Sequence, residues 1–340
     1  MIAGATFPTH FLFTKEEKMF KKIGQTAAVF LCIFSALGAD AQTWPQKPIR
    51  FVVPASAGGA TDFGARVVGE QLSKSLGTPI LVENRAGATG AIGMAEVARS
   101  APDGYTVLIA PDLVTTLKLT QKDAAVDIVR DFAPVTQIAI QPLVLVAHES
   151  IGVSSLQDLI KLAKAKPNTL AYSSSGMGST HHLAGELFSK LAGISLVHVP
   201  YKGSSDAFKD LVSGQIPLGV IGSSVLVPYA NDKRLRLLAV TPAVRSTTFP
   251  STPTLAESGF KGFDVKTWLG ALVHAKTDPA IVAKLNVEIR RALEMPEVKA
   301  KLASASLEVG GNTSAEFAAI IKDDVERWTK LVTESQLKLQ

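Results

Sequence analysis

Beyond residue 42 the chain alternates short runs of β-branched and aliphatic residues with longer stretches whose apolar positions recur every three or four residues. Runs at 49–53, 80–82, 106–110, 143–147, 170–172, 196–199, 218–221 and 235–240 predict strands. Stretches at 61–76, 91–99, 155–166, 179–191 and 204–212 predict helices. Strand and helix in turn argue an α/β fold with mainly parallel sheets, whose ligands settle at the carboxyl ends of strands. The strands are too many for one small sheet, so two lobes are expected: residues 42–140 with 243–340, and residues 141–242. Residues 142–147 and 235–240 read as two apolar crossings between them, and the tail from Asp278 is largely helical.

Residues 51–62, FVVPASAGGATD, carry the most informative pattern. An apolar strand ends at Pro54, a loop of small residues follows, and Thr61 and Asp62 open a helix. Gly58 and Gly59 let a ligand approach bare backbone, and the helix start offers unpaired N–H groups and a positive dipole end. Such a cradle suits a carboxylate or other anion without a charged side chain. Asp62 reads first as the helix cap.

The construction recurs at Ser173–His182, SSSGMGSTHH, between a predicted strand and helix, with Ser179 or Thr180 as cap. Two such termini on opposing lobes would grip one ligand at both ends. Adjacent histidines point in different directions on a helix, so no metal site is expected, and His182, like His148 and His198, is expected to pack or cap. A third strand end enters a helix at Val199–Ser205, VPYKGSS, where Tyr201 and Lys202 are candidates for ligand contact and Gly203 and Ser204 add donors. Lys266–Gly270, KTWLG, places Trp268 on an apolar segment, where it is expected in the core.

The first residues read as a leader. Lys21 and Lys22 precede an apolar run from Ala27 to Leu37, and Ala39 and Ala41 give a small-x-small cleavage pattern. Cleavage after Ala41 is expected, with Met19 as the better start, and the single cysteine, Cys32, leaves with the leader. That removal leaves 299 of 340 residues; it takes four lysines and three carboxylates, lowering the formal net charge from +5 to +4. A mature chain without cysteine has no disulfide, thiol catalysis or Cys-ligated metal. A mild positive balance without basic clusters fits small anions and argues against nucleic acid or anionic membrane as partner. No later apolar run reaches the roughly 18 residues of a membrane span.

Enzyme patterns are absent from the sequence: no G-x-S-x-G elbow, no G-x-x-x-x-G-K-[ST] loop, and Gly176 and Gly178 lack the third glycine of a dinucleotide fingerprint. The Gly/Ser/Thr/Ala-rich loops are suited to holding a ligand, and no catalytic residue or cofactor is expected.

In order along the chain, WPQKPIRFVVPASAGGATDFGAR, ILVENRAGATGAIGMAEVARSAPDGYTVLI, SSSGMGSTHHLAGELF, VHVPYKGSSDAFKDLVSGQI, FPSTPTLAESGF and TWLGALV resemble the tripartite tricarboxylate transporter substrate-binding receptors, also called Bug-type receptors. The resemblance implies a two-lobed, type II periplasmic-binding-protein-like fold with two hinge crossings, acting as a monomer. It implies capture of a small organic anion (a carboxylate, an amino acid or an aromatic acid) and delivery to membrane transporter subunits. Presentation to a sensor kinase, or a secreted enzyme acting on a similar anion, are the alternatives. The implied ligand contacts are Ala57, Gly58, Gly59, Ala60, Thr61 and Asp62 in the first lobe. In the second they are Ser173, Ser174, Gly178, Ser179, Thr180 and His181, with Tyr201 and Gly203 nearby. The chain departs from the family pattern at Asp112, where Gly, Ser or Thr is usual, and at Pro217. A carboxylate at Asp112 would repel a second ligand carboxylate or pair with an amine.

Overall fold

The structure is a computed structural model that describes Met1 and residues 44–339. The expected cleavage after Ala41, the start at Met19 and Cys32 lie outside the described residues. The chain divides into a unit of residues 1–46 and a unit of residues 47–340, and all elements below belong to the second.

The strands of this unit, in chain order, are β1 (Ile49–Val53), β2 (Ile80–Asn84), β3 (Thr106–Pro111), β4 (Phe132–His148) and β5 (Ala171–Ser174). They continue with β6 (Val197–Pro200), β7 (Leu218–Gly222), β8 (Leu235–Val240), β9 (Lys266–His274) and β10 (Glu308–Val309). The first sheet has the order β2-β1-β3-β9-β4, with β10 on β4 as well; the second runs β4-β7-β5-β6, with β8 also on β4. β4 is common to both. Its first half, Phe132 to Pro142, lies against β9, and Leu143 to His148 against β7 and β8. Pro142, which has no N–H to give a ladder, stands where the strand passes from one sheet to the other.

The sheets are mixed, not mainly parallel. β1 with β2 and β3, and β5 with β6 and β7, are parallel, whereas every pairing of β4 and β9 is antiparallel. The reason is the crossing: β4 traverses both sheets and β9 returns alongside it, so the centre of the fold is a long antiparallel ribbon.

Among the described residues ten α-helices accompany these strands: α1 (Ala60–Leu76), α2 (Ala91–Ala98), α3 (Leu117–Thr120), α4 (Leu156–Ala165), α5 (Thr180–Ala192) and α6 (Ser204–Val212). The chain then adds α7 (Ser223–Leu226), α8 (Pro279–Glu294), α9 (Pro296–Ser304) and α10 (Ser314–Glu334).

Because successive side chains of a strand face opposite ways, β4 serves two cores. Leu143, Leu145 and Ala147 pack with Tyr172, Leu183 and Phe188, while Val144 and Val146 pack with Phe208, Leu211 and Ile221. Helices therefore cover both faces of the second sheet. A third cluster joins Val52, Leu108 and Trp268 with Met94, Phe317 and Ile321. α10 links the clusters: its first half supplies Phe317 and Ile321 to that group, and its second half gives Trp328 and Leu331 to the core around Leu143. Leu255, Phe263 and Val265, from the segment between β8 and β9, also join the latter core.

Beside Pro142 the returning chain is pinned by hydrogen bonds at Thr241 and Val265. The Thr241 amide donates to Leu143 O at 3.0 Å, the Val265 amide to Thr241 O at 3.1 Å, and Thr241 Oγ1 to Val265 O at 2.5 Å. All chain passages between the sheets at this point are thus neighbours.

Candidate ligand-binding site

The first cradle forms as its sequence suggests, with one correction. Gly58 adopts φ +80°, in the left-handed region that glycine enters at no cost, and turns the loop into α1. Gly59, not Asp62, is the cap residue. Asp62 stands three positions later and reaches back, Oδ2 accepting the Gly58 amide at 2.9 Å while Oδ1 lies 3.0 Å from the Arg66 guanidinium. Burial works to raise the Asp62 pKa, but the Arg66 and Gly58 hydrogen bonds outweigh it and hold the carboxyl below its usual range. Asp62 is therefore a clip under the loop, and the first amides of α1 are left for another acceptor.

The second cradle rests on a buried polar base. Ser179 caps α5, its Oγ accepting the His182 amide at 3.2 Å and donating to Gly176 O at 2.7 Å. His182 Nδ1 accepts the Gly178 amide at 3.1 Å, and its ring stacks on His198 with centroids 3.7 Å apart. Glu186, one turn along α5, lies 3.9 Å from His182 Nε2 and accepts the Tyr172 hydroxyl at 2.7 Å. Burial, with the second imidazole nearby, pushes His182 down to about 3, and burial pushes His198 down to about 4. The histidines are thus neutral packing groups beneath the loop. Among the described residues no group of three His, Cys, Asp or Glu side chains is placed to hold a metal.

Both helix starts reach one cavity of about 200 Å³. Ala60 and Thr61 line it from α1, and Ser175, Ser179, Thr180 and His181 from α5 and its loop. Pro111 ends β3 and Asp112 and Leu113 follow it, Ala139 and Gln141 belong to β4, Thr267, Trp268 and Leu269 to β9, and Leu307 completes the wall. This is below the roughly 300–1,000 Å³ of sites for drug-sized molecules and suits a small metabolite. No lysine or arginine is among these lining residues. Trp268 is both core and wall: its ring meets Phe317 edge-on at 5.0 Å and its Nε1 donates to Asp324 at 2.9 Å. Gln141 is braced by Ser224, whose Oγ accepts its Nε2 at 2.6 Å.

Asp112 is the ionisable acid of this wall. Thr180 Oγ1, from the start of α5, donates to its Oδ2, and the Trp268 backbone amide donates to its carboxylate. Burial outweighs these bonds, and with the negative Asp324 nearby the Asp112 pKa is pushed up to about 7. His181 is pushed down to about 4 by burial, with Nδ1 held 3.1 Å from Ser204 Oγ.

Of the residues named from sequence, Ala60, Thr61, Asp112, Ser179, Thr180 and His181 meet at the cavity. The others are set back. Ala57, Gly58 and Gly59 are on the loop flank, facing solvent in part or whole. Ser173 Oγ is spent on Leu218 O at 3.4 Å, and Ser174 Oγ pairs with His198 Nε2 at 2.7 Å. Gly178 abuts Thr120, whose Cγ2 would collide with a Cβ there. Tyr201 donates to Asp210 at 2.7 Å, and Gly203 caps α6. Sequence reasoning missed Gln141 and Thr267, whose only signal is a polar residue inside an apolar run.

Comparison with known proteins places this geometry. The sequence model described as tripartite tricarboxylate transporter family receptor matches residues 64–337. BugT of Bordetella pertussis is 35% identical over 308 residues, 90% of this chain and 94% of that protein. The structure of an R. palustris protein with adipate is 33% identical with a TM-score of 0.72, covering 85% of this chain and 97% of that one. MatC from Rhodopseudomonas palustris with bound malate is 27% identical with a TM-score of 0.69, covering 85% of this chain and 100% of that one. The mixed α/β fold is therefore that of periplasmic binding proteins.

Proposed function

The chain belongs to the tripartite tricarboxylate transporter family of receptors, and from that membership we propose that it captures a small carboxylate in the periplasm and delivers it to the membrane subunits of such a transporter. The observation that carries the reading is the convergence of the α1 and α5 N-termini on one small cavity without a cationic wall residue. Preorganised amides in a partly dry site hold an anion through charge-assisted hydrogen bonds. Relatives solved with adipate and malate fit the same chemistry. Export would follow from the leader at residues 1–41. No helix among the described residues is long and apolar enough to cross a membrane.

In this reading the sheets are the cores of two lobes that close on the ligand, and the second lobe runs from about residue 141 to Val265 instead of ending at 242, since Leu255, Phe263 and Val265 pack on its core. The strand change at Pro142 and the adjacent Thr241–Val265 bonds support a hinge there, with the return crossing at Val265 and not, as expected from sequence, at 235–240, because β8 pairs only with the second half of β4. An enzymatic reading has less to draw on: the hydroxyl–imidazole pair whose histidine lines the cavity, Ser204 with His181, carries a histidine pushed down to about 4, a weak base at neutral pH.

A thermal-shift screen of C3–C6 carboxylates tests the reading. A bound ligand at one hundred times its Kd adds about 2.7 kcal/mol of stability and is recovered unchanged. No shift with any carboxylate at millimolar concentration overturns it, and turnover of the ligand favours the enzyme.

A further inference from the structure

We propose that the ligand of this site bears a protonated amine as well as a carboxylate, and that Asp112 is the residue that selects it. The inference rests on the receptor reading and deepens it.

Asp112 is 8% exposed and lines the cavity. The groups that face it are Thr180 and His181 from α5, the Trp268 amide from β9 and Asp324 from α10. Asp324 has the same sign of charge, and its own partners are Trp268 Nε1 at 2.9 Å and Arg327 at 3.2 Å, with Lys266 beyond. His181 is neutral at physiological pH. No lining side chain therefore balances the charge of Asp112. The same cavity offers helix-start amides to a carboxylate. A simple dicarboxylate would bring a second negative group into this space, where like charges repel strongly for want of water. An ammonium group instead supplies the counter-charge that the chain omits, and a hydrogen bond between ionised partners is among the stronger polar contacts.

The test is calorimetric titration of the purified protein with matched pairs that differ only in the amine: succinate and aspartate, glutarate and glutamate, adipate and 2-aminoadipate, propionate and alanine, 4-methylpentanoate and leucine. The aminated member of at least one pair is expected to bind about tenfold or more tighter. Its affinity should rise from pH 5.5 to 8, as Asp112 loses its proton, and Asp112→Asn should abolish the preference. Tighter binding of the amine-free member, affinity falling over that pH range, or an unchanged preference in Asp112→Asn overturns the inference and leaves the receptor reading intact. Should Asp112→Asn fail to fold, the wild-type pair ratio and pH slope decide alone. Binding of no member of any pair overturns both.

Discussion

At the scale of single residues, the site is built by side chains that hold backbone in place more than by side chains that reach the ligand. Asp62 clips the first loop through Gly58, and Ser179 and His182 clip the second through the His182 and Gly178 amides. Asp112 is the exception, and its burial has a measurable cost. In the unfolded chain an aspartate ionises near pH 3.9, whereas here it retains its proton up to about 7. Between those values the native state holds a proton that the unfolded chain has released, so this group lowers stability as pH rises, and the full penalty is present above pH 7. Asp112→Asn should therefore melt at the same temperature as wild type near pH 4 and higher above pH 7, read by calorimetry. A difference that is flat with pH would show that Asp112 is not held protonated by burial. His181, His182 and His198 act oppositely: their depressed values leave them neutral while the unfolded chain takes up protons, so both proteins lose stability from about pH 6.5 toward 4. Gly59→Asp puts a carboxylate at the cap of α1, where φ −80° and a nearest contact of 3.6 Å accept it. Stability should hold or rise, since Asp is a preferred cap, while carboxylate affinity falls about tenfold or more through competition for the same amides. Unchanged affinity would remove α1 from the site.

At the scale of elements, the helices and outer strands were legible and the central ribbon was not. The predicted helix at 204–212 matches α6, and the predicted strands at 49–53 and 235–240 match β1 and β8. In each an apolar period is intact; the first two are flanked directly by Gly, Ser or Pro, and β8 is followed by Thr241 and Pro242. The first half of β4 escaped because its alternation is broken by register shifts between Pro134 and Thr136 and between Gln137 and Ala139. For β9 the sequence shows only an apolar segment around 266–270, because what makes it a strand is pairing with β3 and β4 far away in sequence. The same distance hid Gln141 and Thr267: Thr267 Oγ1 donates to Gln141 O at 3.0 Å across the ribbon, a contact no local pattern announces. The α5 loop also meets α3 at an element-level contact. Gly178, at φ +72°, abuts Thr120, and Gly178→Ala adds both left-handed strain of about 1 kcal/mol and a collision with the Thr120 methyl. Ligand affinity should fall, and Thr120→Ser in the same chain should restore part of it without removing the strain. Equal affinity of Gly178→Ala and wild type would show that this approach is not needed for binding.

At the scale of the whole molecule, the site is a product of the crossing. α1 belongs to the first sheet and α5 to the second, and the shared strand β4 with the bonds at Thr241 and Val265 sets the two helix starts against one cavity. Sequence told which loops would carry unpaired amides, since those signals are local. It could not tell that strands β4 and β9 would form the floor between them, nor that Asp112 would be buried against Thr180 of the facing helix. In the proposed function, amides at both helix starts hold one carboxylate-bearing molecule there. A crystal structure of the protein with the best ligand from the thermal-shift screen tests it most directly. Density is expected in the cavity, with carboxylate oxygens about 2.7–3.1 Å from the first amides of α1, of α5, or of both. Ligand density elsewhere, or a carboxylate held by lysine or arginine side chains with those amides turned to water, would contradict it.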